Sequence, residues 1–448
     1  MIYAQKNNID LQQGILNERL AKLQLQQSQL SQIPNAFLSG NYGRSFGRSI
    51  DPTSNQFINS NYDFVGINGN VDVLLFGWFQ KRNQIKADKF SLKSAEADYE
   101  QLKNDISLNV ATGFLRILLA KEQVAISENQ LKFSNNQRSQ TQAFVKAGRS
   151  PELDLAQMEA QVSADSAAYF QVLVDYQRAI LEMKALMNLE INTDFEVQIP
   201  DEEQFDFTEV IQHTPEQIFQ IAANNFYSIK SSEYKIEAAH KNLASRKSAL
   251  YPQIGIGAQV GTNYSTTLRN FEALNSISDV SPTGDFINVG GNAYPVMRPV
   301  FDFSSSIVPL GNQLEQNFRQ TVALSISIPL FNGWAARTSV AQAKIDISNQ
   351  QLNKERTEIA LKQDVYTAYY EANTAVRKYF ASQKAVIASE RALSYAEKRY
   401  ELGLMNALEL LTTQNNHFRT VGEHASAKYD MIFKLKVIDY YLGKTIKL

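Results

Sequence analysis

Two stretches of this chain, residues 80–147 and 335–402, each run 68 positions without a proline. Both are rich in Ala, Gln, Lys, Glu and Leu, which lose little side-chain freedom in a helix, so each predicts one uninterrupted helix. At 1.5 Å of rise per residue such a helix is roughly 100 Å long, far more than a globular core covers. Its flanks must be covered by other helices, and Ala87, Ala95, Ala97, Ala341 and Ala343 are small enough to let neighbours approach closely. The other helix-forming stretches, 1–33, 152–187, 215–250 and 407–441, are about half as long. Two of them end to end match one long helix, which predicts hairpins of matched length.

The long stretches belong to a repeated plan. Asn7-Asn8 answers Asn224-Asn225, Pro34 answers Pro252, Gly77-Trp78 answers Gly333-Trp334, Gly148 answers Gly403, and Asn188 answers Gly443. Gly77 and Gly148 lie 71 positions apart, Gly333 and Gly403 lie 70 apart, and the next interval is 40 in both halves. The reading is an internal duplication. A first repeat, 1–187, holds a helix, strands at about 35–46 and 62–76, the long helix 80–147 and a return helix 152–187. An equatorial connection, 188–214, carries a strand-like Phe195-Glu196-Val197-Gln198-Ile199. A second repeat, 215–448, holds helix 215–250, strands at about 253–264 and 318–331, long helix 335–402 and return helix 407–441. Thr214-Pro215-Glu216-Gln217 is a helix start with a capping box. Its counterpart falls before Met1, so the repeat predicts an upstream segment, including a secretory signal, ahead of the given sequence.

The strand stretches alternate with period two. Ile254, Ile256, Ala258 and Val260 alternate with Gly255, Gly257, Gln259 and Gly261, and Val322, Leu324, Ile326 and Ile328 alternate with Ala323, Ser325 and Ser327. One face is apolar and the other is small or polar rather than charged, and Tyr42, Tyr62, Phe64, Tyr264 and Phe318 sit toward the loop ends. Runs of about ten such residues fit tilted membrane-spanning strands. A soluble antiparallel sheet packed on helices also alternates. Residues 267–317, rich in Ser, Asn, Gly and Pro, read as one long loop, odd inside a compact domain and ordinary at the mouth of a barrel. Four strands close no barrel, and an open edge in lipid leaves backbone groups unsatisfied, so copies must combine. Two chains supply eight strands, which side chains fill, whereas three supply twelve and leave a lumen.

Composition narrows the function. Lys and Arg number 44 against 46 Asp and Glu with no basic block, so nothing marks a nucleic-acid partner. The absence of cysteine excludes disulfides, thiolate metal sites and Cys nucleophiles from these residues. No 18-residue apolar run exists, so any membrane crossing is by strands. No nucleophile motif, phosphate loop, metal-ligand spacing or cofactor fingerprint is present, which argues against an enzyme and predicts no cofactor. His417 and His424 lie seven apart on one helix, too far to share a metal unaided, and read as packed histidines. Tyr366, Tyr369 and Tyr370 read as helix-packing residues.

The order of elements, the corners Leu75-Phe76-Gly77-Trp78 and Leu330-Phe331-Asn332-Gly333-Trp334, the turns beginning at Gly148 and Gly403, and the terminal Tyr441-Leu442-Gly443-Lys444 together resemble the outer-membrane efflux protein family typified by TolC. The resemblance implies a homotrimer with a twelve-strand transmembrane β-barrel continued by a long periplasmic α-helical barrel, in the outer membrane of a Gram-negative-type envelope. It implies partnership with a periplasmic adaptor protein and an inner-membrane transporter, for which the chain would be a passive exit duct, surrounded by outer-membrane lipid. In such a family the tips Gly148, Arg149, Ser150, Pro151 and Gly403, Leu404, Met405, Asn406 receive the adaptor. Arg149 and Pro151 stand where small or aliphatic residues are usual. Asp154 and Glu409 match the acids that ring the narrow entrance, while Gln157 and Thr412 replace a second acid three residues on. An acidic residue in a first helical turn also complements the helix dipole, and Asn406 with Glu409 fits a capping pattern, so both roles stay open. The reading from a different class is a soluble coiled-coil scaffold or adaptor of the envelope.

Overall fold

The computed structural model describes residues 1–50, 55–59, 61–198 and 213–444. These form two compact units. The first comprises Met1–Leu25, Lys86–Asn242 and Gln342–Leu448, and the second Gln26–Ile85 and Leu243–Ala341.

The first unit is helical. Its long members belong to α3 (Gln80–Lys146) and α8 (Ala335–Glu401), each continuous over 67 residues. The return helices are α4 (Glu152–Met187) and α9 (Ala407–Tyr441). The stretches 1–33 and 215–250, read as single helices, are each broken: α1 (Ile2–Asn7) is followed by α2 (Ile9–Leu30), and α5 (Pro215–Asn225) by α6 (Tyr227–Lys247). The cause lies in distant partners. At the first break Asn8 accepts from the Leu11 N–H at 3.1 Å and donates to the Leu186 carbonyl at 2.8 Å. At the second, the Gln101 side chain accepts from the Ser228 N–H, while Phe226 packs against Tyr440 and Tyr441. A helix that finds a better acceptor outside itself gives up one of its own turns. The start at Thr214 carries a full capping box, with the Gln217 N–H on Thr214 Oγ1 and the Thr214 N–H on Gln217 Oε1.

Three apolar clusters hold the helices together. One joins Leu11, Ile117, Met183, Met187 and Met431; a second joins Ile218, Val365, Ala372 and Ile438; a third joins Met158, Leu393, Tyr400, Leu410 and Leu411. Residues 195–198 form no strand; Val197 instead buries itself in the first cluster. Ile199 and residues 200–212 of the expected equatorial connection lie outside the described residues.

The second unit centres on a four-stranded antiparallel sheet of β1 (Asn35–Ser45), β4 (Tyr62–Phe76), β5 (Gln253–Ser265) and β8 (Arg319–Ser327), in the order β1-β4-β5-β8. A short pair, β2 (Arg48–Ile50) and β3 (Phe57–Asn59), lies between β1 and β4 in the chain. The long loop expected at 267–317 is regular instead. β6 (Arg269–Val289) and β7 (Asn292–Ile307) form an antiparallel hairpin, followed by the short helix α7 (Leu310–Gln316). Strand β8 ends at Ser327, short of the expected 331.

Candidate functional site

Opposed residues of an antiparallel pair share a face, so the register sorts the sheet's side chains. Ile256 lies opposite Val73 and Leu324, and Ile254 opposite Ile326; Ala258 lies opposite Val71 and Val322. That face is apolar. The other carries Asn68, Asn70, Asp72, Gln259, Thr321 and Ser325. Its glycines leave room for these polar neighbours: a Cβ on Gly257 would meet Asp72 Oδ1 at 3.0 Å, and one on Gly261 would meet Asn68 Oδ1 at 2.9 Å. In one protomer the apolar face is uncovered, with Val322, Leu324 and Ile326 exposed by 71%, 64% and 63%. Both outer strands, β1 and β8, end the sheet with open edges. Among the described residues no helix is long and apolar enough to cross a membrane.

The helical tips are built by one device used twice. After α3, Gly148 takes φ +72°, its N–H bonding the Val145 carbonyl and the Arg149 N–H the Phe144 carbonyl. After α8, Gly403 takes φ +71°, with Gly403 bonded to Tyr400 and Leu404 to Arg399. These paired bonds satisfy the orphan carbonyls of a helix end and require a left-handed residue. The same closure ends α4 at Asn188 (φ 54°) and α9 at Gly443 (φ +75°).

The two tips are packed together. Arg149 reaches the Glu401 carbonyl at 3.5 Å and stacks its guanidinium 4.8 Å from the Phe144 ring centre. Tyr400, almost fully buried, shares a 2.8 Å hydrogen bond with Thr141. Burial raises its phenol pKa, the Thr141 bond opposes this, and the nearby Asp154 carboxylate raises it further. Asp154 and Gln157 are half-buried beside this cluster. Pro151 precedes α4 and offers no side-chain cap, so Asp154 acts on that helix end only through its charge. Glu409 and Thr412 are exposed. Asn406 caps α9, accepting from the Glu409 N–H at 2.8 Å and donating to Glu409 Oε1 at 3.0 Å. The Thr412 hydroxyl is used locally, donating to the Leu408 carbonyl. Leu404 is exposed and Met405 packs against the tip cluster.

Behind the tips lies a polar seam that inspection of single motifs missed. Buried Asp165 of α4 accepts from Ser134, from Gln130 at 2.7 Å and from Gln161 at 2.8 Å, and Gln414 of α9 donates to Ser134 at 2.7 Å. Its only sequence signal is the seven-residue spacing of Ser127, Ser134 and Thr141, all buried on α3. The histidines pack on the same spacing: His417 meets Ser389 at 3.2 Å and His424 meets Ser382 at 2.9 Å, with His424 stacked on Tyr379. Tyr366 donates to Glu216 at 2.7 Å, Tyr369 joins the second apolar cluster, and Tyr370 is exposed. Among the described residues no group of three or more His, Asp or Glu could hold a metal.

A strand set apolar on one face and polar on the other, joined in one chain to long paired helices that lack a membrane span, defines a channel-forming subunit of the outer-membrane type. The model of the outer membrane efflux protein family matches residues 3–189 and 218–443, so the chain belongs to that family and is an outer-membrane efflux channel. The chain is 22% identical over 367 residues to the toxin and drug export protein A of Aggregatibacter actinomycetemcomitans, covering 81% of this chain and 69% of that one. It is 19% identical over 440 residues to the outer membrane efflux protein BepC of Brucella suis biovar 1, covering 96% and 82%. Among solved structures it is similar to the Campylobacter jejuni CmeC outer membrane channel, with a TM-score of 0.76 at 17% identity over 98% of this chain and 84% of that one.

Proposed function

We propose that three copies of this chain close a twelve-strand transmembrane barrel, four strands from each, and that their helices form an α-helical barrel in the periplasm. The observation that carries this reading is the four-stranded sheet with two open edges and an uncovered apolar face. Lipid covers such a face without cost, but it tolerates no open edge, and three sheets joined edge to edge remove every edge while leaving room for a lumen. The assembled chain is a passive exit duct of a tripartite efflux system, and energy comes from an inner-membrane transporter. A periplasmic adaptor docks at Gly148–Pro151 and Gly403–Asn406 and holds the tip helices apart. The native mass of the full-length protein, extracted in mild detergent and corrected for bound detergent, is expected to equal three chains. A detergent-corrected mass of any other number of chains would overturn the three-copy barrel.

At the tip, Asp154 and Glu409 form the charged part of the gate, with Gln157 and Thr412 as neutral positions behind them. Three copies then place six carboxylates near one constriction and favour cations. Asp154→Asn with Glu409→Gln is expected to lower cation-over-anion selectivity in single-channel recordings. Asn406 still accepts from the backbone N–H at position 409 in that variant, so capping alone leaves the recordings unchanged.

A further inference from the structure

The β6–β7 hairpin is a long arm with a fixed root. Gln313 of α7 is fully buried at that root, where it accepts from the Ser265 N–H at 2.9 Å and donates to the Ser265 and Val308 carbonyls at 2.9 and 2.8 Å. The Val308 N–H bonds the Leu268 carbonyl at 3.0 Å, so the arm leaves the sheet through a closed ring of hydrogen bonds. Beyond it β7 runs 16 residues, about 50 Å at 3.3 Å per residue.

The arm is two-faced. All its register shifts insert extra residues into β6, so β7 keeps a strict alternation and serves as the ruler. On one face lie Phe271, Val280, Phe286, Met297 and Ile307, with Phe271 and Phe286 exposed by 69% and 66%. The other face carries Asn270, Glu272, Asp279, Ser281, Arg298 and Ser304 along most of the arm, and Ile287, Val289 and Tyr294 only at its far end. Its edges are interrupted by proline. Pro295 and Pro299 have no N–H to give β6, so their pairs with Phe286 and Val280 are non-hydrogen-bonded and their ring nitrogens face the free edge of β7. Pro282, opposite Met297, does the same to β6. An arm with proline-interrupted edges and an apolar face running its whole length associates by that face.

We propose that the apolar faces of these arms pack against one another, one arm from each copy of this chain, to form a three-armed cap at the mouth of the barrel. The inference rests on the trimeric reading above. A second copy is the occupant because every copy brings the same face on an equally fixed root, which raises the local concentration of arms without a linker cost. Lipid does not fit: a two-stranded arm has two edges of unpaired backbone groups, which hydrocarbon cannot satisfy.

The chain has no cysteine, so single replacements report cleanly. Phe286→Cys on the apolar face and Arg298→Cys, close to it along the arm but on the polar face, are to be oxidised mildly in native membranes and run without reductant. The expected result is a strong two-chain band from Phe286→Cys and at least tenfold less from Arg298→Cys, since a disulfide needs Cβ atoms about 4 Å apart. Absence of the band from both variants, with a native mass of three chains, overturns the cap and leaves the trimer standing. Equal bands from both show freely colliding arms and also overturn it. A fluorophore on Phe286→Cys quenched by a lipid-borne quencher assigns the face to the membrane surface. A native mass other than three chains overturns the cap and the trimer together.

Discussion

Each left-handed cap at the tips isolates one physical cost. A Cβ on Gly148 or Gly403 would meet nothing within 4 Å, so replacing either residue costs backbone strain and no packing. For an L-residue that strain is about 1–2 kcal/mol, and Asn bears it best because its short side chain can bond locally. The chain itself places Asn188 at φ 54° in the same closure at the end of α4. Gly403→Asn is therefore expected to be milder than Gly403→Val, whose branched side chain is the least suited to positive φ. Limited proteolysis at the tip in detergent measures the difference. Equal protease sensitivity of the two variants would mean that the turn is not held in this conformation.

Between α8 and α9 the ladder of Ser382 with His424 and Ser389 with His417 ties stability to pH. Burial lowers both imidazole pKa values; Glu390 opposes this at His417, while at His424 Glu122 opposes it and Lys428 adds to it. As pH falls through the ordinary His value of about 6.5, the unfolded chain takes up protons before the folded one. The ladder's contribution is thus complete above that pH and declines on acidification toward the folded pKa values. Helix melting followed by circular dichroism is expected to fall in temperature from pH 7.5 to 5.5, and to fall less in the His417→Gln, His424→Gln double variant. An identical fall in the variant would assign the acid sensitivity to other groups. What the sequence revealed at this scale was short-range: the Gly-ended turns, the Thr214 capping box and the period-two strands are each specified by neighbours within a few positions. What it hid was long-range. The break at Asn8 depends on Leu186, and the Ser134 bonds reach Asp165 and Gln414, 31 and 280 positions away. The β6–β7 arm was hidden differently, because Pro282, Pro295 and Pro299 read as loop residues until the register places them at free edges.

For the assembled molecule the decisive contrast is between neighbouring residues of β8. Leu324 and Ser325 are adjacent in sequence and opposite in face, the first aligned with Ile256 and Val73, the second with Gly255. In a soluble sheet whose apolar face stayed uncovered, as in one protomer, both would border water, and an Arg at either would be tolerated alike. In a barrel, Leu324 faces hydrocarbon, where an Arg near the midplane costs about 2–4 kcal/mol, while Ser325 faces an aqueous lumen, where the same charge costs little. Three copies multiply the penalty, because each protomer presents the same position to lipid. Leu324→Arg is therefore expected to reduce the yield of three-chain species recovered from membranes severalfold, with Ser325→Arg near the unaltered yield. Because the two variants share one added charge and one strand, nothing but the face distinguishes them. Matching yields would remove the lipid from the argument and leave the open edges of β1 and β8 to be closed by some other partner.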